Sequence, residues 1–359
     1  MSSRSRSTDS SQWSRKRRLA LYALATLIPV VVFFLGLEGI GRAYIYVKYG
    51  VPGKSYGLWR YDETLGAQHR EDAYNTRTQT NNFGFRNQEP VARQKPLDTL
   101  RIIAYGGSTT FCYNLSDSES WPIQLQRLLR QSDHTSHQVL NAGAIMWSIG
   151  HAYARATKDI PALKPDYVIV YSGINEDANA RFLAAKGEPM NSLVKEGKYG
   201  KFATNLDQNR WMKRNLVTVR LLDYVAVPWI RRLQSQVIST EISSHSSPDP
   251  AILENYLHVL DQFLDLVDSN GARAIFVIQA HDGSKVQNEY LTSYSRSGAA
   301  LARKKKAIVV DAAKLLDIYR GNSKDLFYHT GVHYSALGAQ MLAELLYTEV
   351  FADTMHQKP

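Results

Sequence analysis

The chain has 359 residues, 44% of them hydrophobic and 21% charged, which is enough for one large or two small globular domains with a buried core. Its net charge of +10 is no nucleic-acid signature, because Arg4, Arg6, Arg15, Lys16, Arg17 and Arg18 against Asp9 place +5 of it in residues 1–18. Cys112 is the single cysteine, so an intrachain disulfide is excluded, and no Cys/His cluster has zinc spacing.

In chain order, the Ser/Arg-rich start is a basic, unstructured tail over residues 1–18. Residues 19–37, LALYALATLIPVVVFFLGL, carry no charge and at about 1.5 Å per residue span roughly 28 Å, which predicts one transmembrane helix. A signal peptide is the rival reading, but its apolar core is shorter and a small-residue cleavage site should follow, whereas EGIGR follows here. The preceding basic cluster predicts an N-terminus held in the cytoplasm and an extracytoplasmic remainder. Residues 38–97 are polar and broken by Pro52, Gly53, Gly57, Pro90 and Pro96, and read as a stalk of irregular structure.

From residue 98 to 352 strand and helix patterns alternate: RIIAYGG, SWPIQLQRLLRQ, HQVLNAGA, IGHAYARATKDI and DYVIVYSG, then ILENYLHVLDQFLDLVDSNGA, ARAIFVIQA, YLTSYSRSGAALARKKK, AIVVDAAKLL and ALGAQMLAELLYTEVF. Apolar strands separated by helices predict a doubly wound, mostly parallel sheet in an α/β/α sandwich. Residues 180–248 break this rhythm and read as an insertion, in which RLLDYVAVPWIRRLQ suits an amphipathic helix.

In such a sheet ligands bind beyond the carboxyl ends of the strands. The first strand ends on Gly106, Gly107 and Ser108, where glycines permit a tight turn and a hydroxyl can project beside main-chain N–H groups. Alone, the stretch equally suits a phosphate cradle or a helix cap, although no P-loop lysine is present. Gly143 and Asn175 end the next two strands, and His333 precedes the last helix, so four segments converge on one edge. Glu176 and Asp177 read as acids at the start of the following helix, and Cys112 as a small buried residue. His281, beside Asp282 at the end of ARAIFVIQA, is a substrate-lining candidate together with Gly107.

GGSTTF, NAGA, SGINED and TGVHYSALG, in this order and preceded by NNFGFRNQEP, resemble the four blocks of the SGNH (GDSL-like) hydrolase superfamily, membrane-anchored bacterial type, over roughly residues 80 to 350. The resemblance implies a flavodoxin-like sheet and a serine nucleophile, Ser108, with His333 as general base. It implies an oxyanion hole from Ser108 N–H, Gly143 N–H and the Asn175 side chain. It further implies a periplasmic domain and no cofactor or metal. The implied activity is a serine esterase or O-acyltransferase on an O-acylated glycan or a lipid ester. One position departs: the family carries Asp three residues before the histidine, and here Thr330 stands there. A backbone carbonyl or Thr330 orients His333, or Asp325 replaces the acid, or the domain is a weak or silent binding module. No nucleic-acid partner is expected, and the oligomeric state is left open.

Overall fold

After the uncharged run at 19–37 no proline occurs until Pro52, in Gly50-Val51-Pro52-Gly53, and the helix continues beyond the expected end. In the computed structural model it is α1 (Arg15–Tyr49), with Pro29 inside it. The structure describes residues 15–62, 65–133, 135–176, 216–218, 248–282, 285–328 and 331–352. Two units divide the chain, one of residues 1–50 with 211–239 and one of residues 51–210 with 240–359. In the first, residues 17–49 are long and apolar enough to cross a membrane, a property shared with signal sequences. Glu38 there pairs with Arg42 one turn on, at 2.8 Å, and accepts the Val217 and Thr218 amides at 3.0 Å each. The tail before Arg15 and the 180–248 insertion, apart from 216–218 and Pro248, lie outside the described residues.

The second unit is built on β5 (Arg101–Gly106), β6 (Gln138–Asn141), β7 (Tyr167–Tyr171), β8 (Arg273–Ile278) and β9 (Ile308–Asp311). They form one parallel sheet in the order β6-β5-β7-β8-β9. Every residue of β5 is buried, as a central strand covered on both faces requires. Ile102 and Ala104 face one layer with Trp121, Leu125 and Leu129 of α3 (Trp121–Asp133) and Leu342 and Leu346 of α8 (Ala336–Leu346). Ile103 and Tyr105 face the other layer, with Ala152, Ala156 and Ile160 of α4 (Ile149–Leu163) and Val259 and Phe263 of α5 (Pro250–Ser269). Local chemistry sets the helix starts: Pro250 occupies the first turn of α5, and Asp249 caps it by accepting the Ala251 amide at 2.8 Å. The long α6 (Lys285–Lys304) and the short α7 (Lys314–Ile318) flank β9.

The order matters for function. β6 lies on one side of β5 and β7 on the other, so the chain reverses its winding between β5 and β7, and the two following loops diverge there to leave a crevice.

Residues 51–97 differ from the irregular stalk expected of them. β1 (Ser55–Tyr56) pairs parallel with β4 (Ala73–Tyr74), and β2 (Trp59–Asp62) pairs antiparallel with β3 (Gly66–His69). Beyond them the chain seals the edge of β6: Arg86 N–H donates to Asn141 O at 2.9 Å, while the Asn87 side chain donates to Val139 O and accepts the Asn141 amide, both at 2.9 Å. Phe85 and Val91 enter the core. Turn residues marked this segment as loop-like, but its buried side chains make it part of the domain.

Arg86 is the strongest tie. Its guanidinium is fully buried, pairs with Asp117 at 2.9 Å, and donates to the carbonyls of Phe111, Cys112 at 2.9 Å and Leu115 at 2.6 Å. Removing one partner of a buried pair strands the other charge. Arg86→Met is therefore expected to destabilise the domain by about 3 to 5 kcal/mol. Thermal unfolding of the variant checks this, and an unchanged melting temperature refutes it.

Candidate active site

Ser108 opens α2 (Ser108–Phe111), directly after β5. As the first helical residue it has no intrahelical acceptor for its N–H, which leaves that donor available. The two glycines before it answer to different neighbours. A Cβ on Gly106 would overlap the Tyr171 carbonyl on β7 and Thr110 Oγ1, while one on Gly107 would stand 2.6 Å from Asn175 Nδ2 and 3.0 Å from Trp147 O. Bare backbone is thus what allows the loop after β7 and the turn before α4 to close upon Ser108.

The structure brings His333 to this point from 225 residues away: its Nε2 lies 2.8 Å from Ser108 Oγ. A narrow strap positions it. Tyr328 N–H donates to His333 O at 2.8 Å, Ser335 N–H donates to Leu326 O at 2.9 Å, and Phe327 stacks on Tyr334 with centroids 5.2 Å apart. Tyr334 hydroxyl meets Tyr171 hydroxyl at 2.9 Å, which ties the strap to the end of β7. Partial burial lowers the His333 pKa below the ordinary histidine value of 6.5, so the ring is neutral at pH 7. A neutral imidazole at hydrogen-bond distance can take the proton of a serine hydroxyl. The ring of exposed Tyr113 tilts beside it, centroids 5.7 Å apart.

Asn175 is buried at the crevice and donates from Nδ2 to Trp147 O at 2.9 Å, which leaves its second N–H for another acceptor. Gly143 lies in the turn that follows β6. Its N–H donates to Asn141 Oδ1 at 3.0 Å, so that amide is engaged within the strand-end turn. Its missing side chain serves packing instead, since a Cβ would fall 2.7 Å from the Thr110 carbonyl carbon. The turn that does face Gly107 is the next one, where Met146 has φ of 65°, an uncommon conformation for a residue with a side chain.

Of the groups considered for orienting His333, Asp325 is exposed and its carboxylate accepts from Tyr319 hydroxyl at 3.2 Å. It is not brought to the imidazole. Thr330 and Asp177 lie outside the described residues. His281 follows β8, and the next residue, Asp282, donates its N–H to Gly331 O at 2.9 Å, linking that loop to the strap carrying His333. Burial lowers the His281 pKa, with Asp282 opposing the shift. Cys112 is buried and its thiol is pushed up to about 12, which keeps it protonated and unreactive. Glu176 has helical backbone where the described stretch ends, and its buried side chain accepts the Ile149 amide of α4 at 3.1 Å.

Among the described residues no group of three or more His, Cys, Asp or Glu side chains could hold a metal ion. Trp147, Tyr113, Glu176 and the Tyr171–Tyr334 link were missed by reading the sequence. Only Trp147 carried a signal, as a large aromatic in the loop after NAGA.

A family model described as the GDSL-like Lipase/Acylhydrolase family matches residues 104–341. Solved structures with a similar fold include a lipolytic protein of the G-D-S-L family from Desulfitobacterium hafniense DCB-2, 17% identical, covering 69% of this chain and 98% of that one, with a TM-score of 0.42. A lipase/acylhydrolase from Enterococcus faecalis is 14% identical, covers 70% and 95% of the two chains, and has a TM-score of 0.44. The acetylxylan esterase Axe2 from Geobacillus stearothermophilus is 16% identical, covers 70% and 94%, and has a TM-score of 0.44. No curated protein matches the chain. The matched segment spans more than half of the sequence and contains Ser108, Asn175 and His333 together, so this chain belongs to the GDSL-like lipase/acylhydrolase family.

Proposed function

We propose that the chain is a membrane-anchored serine esterase that acts on an O-acylated glycan or a lipid ester through an acyl-serine intermediate. The observation that carries this reading is the 2.8 Å approach of His333 Nε2 to Ser108 Oγ at the crevice between β5 and β7. Ser108 Oγ attacks the ester carbonyl carbon while His333 Nε2 accepts the hydroxyl proton. The tetrahedral oxyanion is received by Ser108 N–H and the second Asn175 Nδ2 proton. The C–O bond to the alcohol then breaks, and His333 returns its proton to the leaving oxygen. Water, activated by the same imidazole, hydrolyses the acyl-serine and restores the hydroxyl.

If a sugar hydroxyl takes the place of water, the same residues transfer the acyl group. Release of free acid without an acceptor identifies the hydrolase. The charge pattern of Arg15, Lys16, Arg17 and Arg18 before α1 supports a cytoplasmic N-terminus, and the family resemblance supports a periplasmic domain.

Fluorophosphonate labelling of the full chain in detergent, followed by peptide mapping, tests the reading. Modification at Ser108 that disappears in Ser108→Ala and in His333→Ala is expected. A folded wild-type chain that takes up no label would leave a silent binding module as the better account.

The depressed His333 pKa also fixes a sign. The base works only when neutral, and a lowered pKa keeps it neutral to lower pH, so the acid limb of kcat/KM should fall below pH 6.5. A limb centred above that value contradicts the assignment of His333.

Asn175→Ala removes a donor that is aimed at charge developing in the transition state. It should lower kcat by about 100-fold and leave KM within about threefold. Gly107→Ala, whose new Cβ would push against the same amide, should lower kcat in the same direction, and steady-state ester hydrolysis measures both.

A further inference from the structure

Asn175 and Glu176 are consecutive, and both side chains grip the turn that leads into α4. Asn175 Nδ2 donates to Trp147 O at 2.9 Å. The Glu176 carboxyl accepts the Ile149 amide, with Oε1 at 3.1 Å and Oε2 at 3.3 Å, and a further bond from the Gly173 backbone. Only Ser148 separates the carbonyl that Asn175 holds from the amide that Glu176 holds. The turn therefore cannot shift along its own direction without breaking both bonds. Trp147 O also stands 3.0 Å from where a Gly107 Cβ would be, so the position of this turn fixes how closely Asn175 approaches the Ser108 backbone.

A helix that begins this deep in a protein needs acceptors for its first N–H groups. The local cap of α4 engages Ser148 and His151, whose Oγ and Nδ1 lie 2.9 Å apart, and the Ile149 amide is left to Glu176 from a different loop. A carboxyl is a costly choice for a site that is 6% exposed, because burial opposes its ionisation. An ordinary cap would use a short polar residue on the helix's own turn.

We propose that Glu176 is a positioning residue for the reaction: by holding the Ile149 amide it fixes the Trp147 carbonyl, and through it the Asn175 amide that receives the oxyanion. This rests on the esterase reading given above. Burial also pushes the Glu176 pKa up to about 8, so the side chain is neutral at pH 7 and glutamine, neutral and of the same length, is its close mimic.

The test compares wild type with Glu176→Ala, Glu176→Gln, Ile149→Pro and the Glu176→Ala/Ile149→Pro double variant, all as full chains in detergent, with p-nitrophenyl acetate as the probe ester. Ile149 is the first residue of α4, where proline is tolerated. Ser148 before it has φ of −92° and ψ of 177°, as a residue preceding proline requires, so this change deletes the N–H and spares the helix. Glu176→Ala and Ile149→Pro should each lower kcat by about tenfold or more with KM within about twofold, the pattern of a misplaced transition-state donor. Glu176→Gln should return kcat to within about threefold of wild type, and the double variant should be no slower than the slower single variant, because both single changes break one bond.

Wild-type kcat in Glu176→Ala, or a loss matched by the unfolded fraction in a thermal melt, overturns the inference. Should Glu176→Ala fail to fold, wild-type kcat in folded Ile149→Pro overturns it equally. A wild-type chain that neither hydrolyses the probe nor takes a fluorophosphonate overturns the esterase reading and this inference together, whereas an active wild type with unaffected variants overturns this inference alone.

Discussion

The site depends on how closely three backbone segments approach one another at the carboxyl ends of β5 and β7. Gly106 lies against the Tyr171 carbonyl on the neighbouring strand, and Gly107 lies against the Asn175 amide and the Trp147 carbonyl. Any side chain at either position would enter occupied volume, and in an interior packed as densely as an organic crystal such overlap is relieved only by moving backbone. The two glycines are thus a distance constraint. They set the separation between the Ser108 turn on one loop and the Asn175 amide on the next.

Around this constraint the rest of the domain is arranged as fixed supports. Arg86 holds three carbonyls on the carboxyl side of α2, so the turn that follows Ser108 is gripped from behind. Asn87 and Asn141 form a second support: Asn141 donates its backbone N–H to Asn87 Oδ1 and its side-chain amide to Thr110 O, both at 2.9 Å, which couples the edge strand β6 to the same turn. The imidazole is held by a strap that ends in the Tyr334–Tyr171 hydroxyl contact on the central sheet. Ser108, Asn175 and His333 therefore hang on three different segments, each held by its own polar contacts.

Reading the sequence went furthest where a single residue type had one physical use. Apolar runs of five or six residues between amphipathic helices could hardly be anything other than central parallel strands, and RIIAYG and YVIVY are those strands. That Ser108 and His333 lie at one edge of the sheet was legible from their places at a strand end and before the last helix, and their side chains stand 2.8 Å apart. Gly143 was less legible because glycine announces only close approach, and its N–H has a partner, Asn141 Oδ1, that sequence does not display. Residues 51–97 looked like a stalk because Pro, Gly and polar residues mark turns without saying whether the turns are buried. The polar side chains there, Arg86 and Asn87 above all, are internal ties to backbone groups of the domain. Glu176 shows the same limit: an acid after a strand reads as a helix start, and its backbone is helical, but only the fold reveals that its side chain accepts the first amide of α4.

The contact between Ser108 and His333 closes a loop of 225 residues, and all the strands of the large sheet except β5 lie inside that loop. Contacts so distant in sequence cannot repay their closure entropy until the intervening elements are ordered, and a topology dominated by them folds late and cooperatively. The pairing of hydroxyl and base thus belongs to the last stage of assembly, after all the sheet's crossovers have been made. Partly folded forms hold the serine and the histidine apart, so their approach is a property of the completed domain.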